Sequence, residues 1–210
     1  MNILFQSVLV IHIITGYTAL LSGAMAMWVI KGSLLHKRSG KIFFYAMLLG
    51  CGSGLVLAWL KESDFLFNVG VFTAYQNLSG ERALRNKKLL PAARDIGLSL
   101  IGGANGVWMV FSNQSVLIVF GLLSLFLVIG ESRVFYKAWR GQIIPHNAWL
   151  RKHIGMMMGA YIGTLTAFLV VNASGNLPVL LVWLTPTIVL VPLLIYWSRK
   201  YASPQKIYNI

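Results

Sequence analysis

The stretch Phe65-Leu66-Phe67-Asn68-Val69-Gly70-Val71-Phe72-Thr73-Ala74-Tyr75-Gln76-Asn77-Leu78 decides the fold, because it is apolar enough to enter a membrane yet short and loaded with polar side chains. Longer apolar runs flank it, at roughly residues 3–30, 42–60, 96–111, 116–136, 154–171 and 179–197. Spans of about 17 to 25 residues cross a hydrocarbon core, so most of these runs qualify on length. Charge parity decides the short one. Of the eighteen lysines and arginines, all but Lys61 fall in every second gap between runs. They are Lys31, Lys37, Arg38 and Lys41; Arg82, Arg85, Lys87, Lys88 and Arg94; Arg133, Lys137, Arg140, Arg151 and Lys152; and Arg199, Lys200 and Lys206. If 65–78 crosses, all four clusters share one side, as the positive-inside bias requires. If it does not, the second cluster lies opposite the first. The expectation is an all-α polytopic transmembrane helix bundle of seven spans, N-terminus outside and C-terminus cytoplasmic, in a bacterial inner membrane.

Composition agrees. The chain of 210 residues is 57% hydrophobic and 11% charged, against about 25% charged in an average soluble domain, so lipid must be its main solvent. The net charge of +13 resides in short loops beside apolar runs, where retention on the cytoplasmic side explains it without nucleic acid. Cys51 is the one cysteine, which excludes an intramolecular disulfide and a cysteine metal site. The first run has no preceding basic residue and is too long for a cleaved leader, so it is expected to persist. Ser112-Asn113-Gln114-Ser115 and residues 172–178 read as uncharged outer turns. No repeat or long hydrophilic stretch divides the chain, so 1–210 reads as one helical domain. The bilayer is its first partner; the oligomeric state is not legible.

Small residues four apart let membrane helices approach closely. Gly50 and Gly54, Gly102 and Gly106, and Gly155, Gly159 and Gly163 supply such stripes. His12 begins another, with Gly16, Ala19 and Gly23 following on the same helical face, which should point at a neighbouring helix.

Polar groups at membrane depth are expensive and mark candidate sites. His36 and His153 sit at the cytoplasmic starts of the second and sixth runs, at one depth, where two imidazoles could hold the iron of a haem b. The same residues also read as interfacial bases meeting lipid phosphates. His12 lies on the order of 20 Å deeper at 1.5 Å per residue. It is either a satisfied interior histidine or a separate cofactor or proton group. Asn68, Tyr75 and Gln76 give 65–78 a polar interior face, suited to a solute path or to interhelical hydrogen bonds. Glu131, beside the fifth run, is expected to pair with Arg133, Arg151 or a protonated histidine. Consecutive Met156, Met157 and Met158 point in different directions and make a poor copper site.

No Gly-x-Ser-x-Gly elbow, His-Glu-x-x-His, phosphate loop or cysteine pair occurs, so nothing points to hydrolysis, while a redox role stays open. Two classes of function follow. One is haem-based electron transfer with a redox partner or membrane complex; the alternative is a small-solute transporter or channel-like protein, or an assembly partner, without a cofactor.

The segment Lys31-Gly32-Ser33-Leu34-Leu35-His36-Lys37-Arg38-Ser39-Gly40-Lys41, after a first run bearing a histidine, resembles an uncharacterised bacterial membrane family catalogued as domain of unknown function 2306. His153-Ile154-Gly155-Met156, the run Ala160 to Phe168 and Trp183-Leu184-Thr185-Pro186-Thr187 are similar to it as well. The resemblance implies that His12, His36 and His153 occupy the family's histidine positions, and it implies no activity. A looser architectural likeness is to transmembrane cytochromes b, whose paired helices hold haem between histidines.

Overall fold

The structure is a computed structural model that describes residues 3–173 and 178–202, so Lys206 and residues 174–177 of the expected second outer turn lie outside it. Seven helices and no strand occur among the described residues: α1 (Ile3–Trp28), α2 (Leu34–Leu60), α3 (Asp64–Arg85), α4 (Ala93–Val110), α5 (Ser115–Trp139), α6 (Ala148–Ala173) and α7 (Val179–Ala202). Five of them, α1, α2, α5, α6 and α7, are long and apolar enough to cross a membrane. Leu21, Leu100, Phe126 and Ile188 stand exposed on outward faces, and so much bare apolar surface calls for lipid as its surroundings.

Helix ends are set by local chemistry. Ser33 caps α2 by accepting the His36 N–H at 3.2 Å, so α2 begins well before its apolar run. Ser63 caps α3 in the same way. The last carbonyls of α1 lack intrahelical donors, and the Lys31 ammonium donates to those of Ala26 and Met27 and to that of Val29 just past the helix. Lys31 also lies 4.0 Å from the centre of the Trp197 ring. Burial in this cage draws the Lys31 pKa below the ordinary lysine value.

Short connections make successive helices antiparallel neighbours, except α5 and α6, whose α-carbons stay more than 8 Å apart, and one end of the bundle gathers the basic clusters. There Lys31 meets Trp197 of α7, and Lys87 lies over Trp149 of α6 at 5.0 Å. Lys61, the exception to the charge pattern, stands at the other end over the Phe5 ring.

Close approach at small residues sets the register. An ideal Cβ at Gly102 would lie 3.0 Å from the Tyr75 ring, one at Gly159 would lie 2.8 Å from Gln76 Nε2, and one at Gly23 would press into Tyr161 and Phe43. The expected stripes thus serve packing, except Gly155 and Gly16, whose Cβ positions face open space. Two apolar clusters result. Phe43, Met47, Met158 and Tyr161 lie at the centre of one, among α1, α2, α6 and α7; Phe72, Met109 and Leu117 join α3, α4 and α5 in the other.

The tightest approach to backbone atoms is at Gly121, where a Cβ would lie 2.8 Å from the Gly106 carbonyl oxygen and 2.8 Å from the Val110 nitrogen. Backbone cannot yield as a side chain can. Gly121→Ala is expected to destabilise the bundle by about 1–3 kcal/mol, whereas Gly97→Ala, which meets nothing within 4 Å, should stabilise it by about 0.5–1 kcal/mol, because alanine favours a helix interior. Thermal unfolding of both variants in detergent checks this.

Candidate functional site: a buried carboxylate and three anchored histidines

Glu131 is 7% exposed in the interior of the bundle. An isolated carboxylate there would carry a prohibitive desolvation cost, so its partners must be numerous. Tyr75 Oη and Ser99 Oγ donate to Oε2 at 2.7 and 3.2 Å, and Ser79 Oγ donates to Oε1 at 2.8 Å. The Lys152 ammonium pairs with Oε1 and rests 4.6 Å from the Phe135 ring centre. Donors from α3, α4 and α6 thus converge on one residue of α5. Lys152 is the partner in place of the expected Arg133, Arg151 or histidine; Arg133 and Arg151 are exposed, where charges keep their hydration.

A second buried acid escaped the sequence reading. Asp95, 2% exposed, receives Arg82 through Nε at 3.1 Å and Nη2 at 2.9 Å, the Asn86 amide at 3.1 Å and the Ala92 N–H at 3.2 Å. Its place in the first turn of α4 is the signal that could have revealed it, since an acid there satisfies free backbone donors. Arg85 pairs with Glu81 at 2.5 Å, so part of the basic cluster is internally neutralised.

Three histidines share one arrangement. Nδ1 of His36 lies 2.9 Å from the Ala26 carbonyl oxygen, Nδ1 of His153 lies 2.9 Å from that of Gly80, and Nδ1 of His12 lies 3.0 Å from that of Gly50. A carbonyl only accepts, so each Nδ1 carries the hydrogen and each Nε2 keeps its lone pair in the neutral ring. His12 also meets Ser53 Oγ at 3.3 Å, and its ring packs on Gly54, where a Cβ would lie 3.1 Å away. His12 therefore faces α2, as its stripe implied.

His36 and His153 stand at matching levels. The Phe43 and Tyr161 rings lie 6.1 Å apart; His36 precedes Phe43 by seven residues and His153 precedes Tyr161 by eight. At 1.5 Å per residue both histidines sit roughly 10 to 12 Å from that contact toward the basic end. The α-carbons of α2 and α6 stay more than 8 Å apart throughout, with side chains bridging the interval.

The polar face of α3 is largely satisfied. Asn68 donates to its own helix at Asp64 and its carbonyl accepts from Asn105, while Asn77 donates to the Phe44 carbonyl at 3.1 Å. Gln76 Oε1 and Asn77 Oδ1 are buried without a partner among the described residues.

Removing one member of a buried pair strands the other, which costs about 3–5 kcal/mol, whereas replacing both with neutral groups of similar shape can be nearly neutral. Glu131→Ala is therefore expected to unfold at lower temperature than Glu131→Gln with Lys152→Met combined, a comparison made by melting curves in one detergent. No family model, no curated protein and no solved structure matches the chain.

Proposed function

We propose that this is a seven-span membrane protein whose basic end faces the cytoplasm and whose His36 and His153 hold a haem b for electron transfer. The observation that carries the reading is the pair of imidazoles on α2 and α6, level with one another, each tied by Nδ1 to the carbonyl of another helix. Such a second contact fixes ring orientation and tautomer and raises the basicity of Nε2, which suits it to a metal. Haem iron held between two neutral imidazoles supplies one-electron exchange. The Ala26 and Gly80 carbonyls orient the two ligands, and the Glu131 and Asp95 networks hold the helices that carry them. His12 serves as an interior hydrogen-bonding group joining α1 to α2.

The seven-span topology draws on α3 and α4 as the additional crossings: their buried polar side chains turn into the bundle, where all but the Gln76 and Asn77 amide oxygens find partners, so they are kept from lipid. In a Cys51→Ser background, Asn113→Cys should react with an impermeant maleimide from outside intact cells. Lys88→Cys should react only after lysis. Equal reactivity at both positions would refute the orientation.

A second reading, a solute path along α3, draws on the unpartnered oxygens of Gln76 and Asn77. Purified protein expressed with haem supply separates the two. A Soret band with reduced α and β bands, lost in His36→Ala and His153→Ala but kept in Gln76→Ala, is the expected result. A flat visible spectrum from folded protein would overturn the haem reading and favour the second.

A further inference from the structure

Helices α4 and α5 are clamped where Gly106 meets Ser124 and Leu125 and where Gly121 meets the Gly106 carbonyl. Nearer the basic end, larger side chains separate them, and a crevice of about 250 Å³ opens between Ile96, Ser99 and Leu100 on one wall and Val128, Ser132 and Phe135 on the other. Leu100 is 67% exposed and Ile96 48% exposed at its mouth, while Ser99 and Phe135 are 8% and 6% exposed within. The crevice thus passes from the outer apolar surface to a hydroxyl beside a buried carboxylate.

The hydrogen-bond inventory limits what can lie there. A serine hydroxyl has one hydrogen and two lone pairs. Ser99 gives its hydrogen to Glu131 Oε2 at 3.2 Å, and so presents only an acceptor to the crevice. A carbonyl or ether oxygen placed against Ser99 would find no donor there, whereas a hydroxyl could donate its own hydrogen to the Ser99 oxygen. The Phe135 ring, with the Lys152 ammonium 4.6 Å from its centre, offers an apolar wall against which a flat ring can pack. Apart from the exposed Ser132 hydroxyl on the α5 side, the outward walls are apolar, so a ligand that arrives through lipid reaches the crevice without crossing water.

We propose that this crevice binds the ring of a lipid-soluble hydroquinone, whose hydroxyl donates to Ser99. The proposal rests on the bilayer placement of the bundle and is independent of the haem reading, because binding requires no cofactor.

A fluorinated short-chain hydroquinone, kept reduced with ascorbate, tests it by fluorine NMR against the protein in phosphatidylcholine nanodiscs. The reduced form is expected to bind about tenfold more tightly than its quinone, the equivalent of one hydrogen bond at the upper end of the usual range. Ser99→Ala should bring the reduced form down to the affinity of the quinone. Leu100→Trp, at an exposed position that leaves the core untouched, should close the mouth and abolish binding. Equal affinity for both redox forms, unchanged binding in Leu100→Trp, or no retention beyond that of protein-free nanodiscs each overturns the proposal. These outcomes stand apart from the visible spectrum, so loss of one reading leaves the other intact.

Discussion

The need to satisfy one carboxylate inside an apolar bundle governs the arrangement of four helices. Glu131 cannot stand in a low-dielectric interior alone. Tyr75 and Ser79 on α3, Ser99 on α4 and Lys152 on α6 all turn toward it. Those directions in turn dictate the rest. For Tyr75 to reach α5 its ring must pass over α4, which it does at Gly102, where even a methyl group would crowd it. For Lys152 to reach α5, α6 must lie close to α3, which Gly80 and Gly159 permit. Small residues and polar residues therefore act together: the first set helix separation, the second set rotation and depth.

Four consecutive residues of α3 show how tightly these demands are interlocked. Ser79 donates to Glu131, the Gly80 carbonyl accepts from His153, Glu81 pairs with Arg85, and Arg82 grips Asp95. Successive helical positions turn by about 100°, so four adjacent residues address different directions. Lys152 and His153 do the same at the start of α6, one reaching α5 and the other α3. The His153 anchor is consequently one residue removed from the carboxylate network on both helices.

Much of this is legible in the sequence. Apolar runs announce helices because their length and composition reflect the solvent, and the polar face of 65–78 announced an interior helix. The helix ends were less legible: α2 starts at Leu34 and α3 continues to Arg85, beyond their apolar runs, because lysine, arginine and glutamate favour helix and the Ser33 cap lies upstream. Pairing was least legible. Lys152 and Arg151 are neighbours in sequence, and only the rotation of α6 decides which of them meets Glu131. The three histidines stood out from the sequence as candidates, but nothing in it specified the carbonyl that each one engages.

The sequence distances in these networks bear on how the chain is made. Tyr75 precedes Glu131 by 56 residues, and Gly80 precedes His153 by 73. At synthesis rates of about 5–20 residues per second, α3 waits roughly 4 to 15 s for its last partner to leave the ribosome. Tyr75 and Ser79 wait for Glu131, 56 and 52 residues on, and the Gly80 carbonyl waits the whole interval for His153. Until then these groups must be met by water or by other proteins, since apolar surroundings alone would leave them unsatisfied.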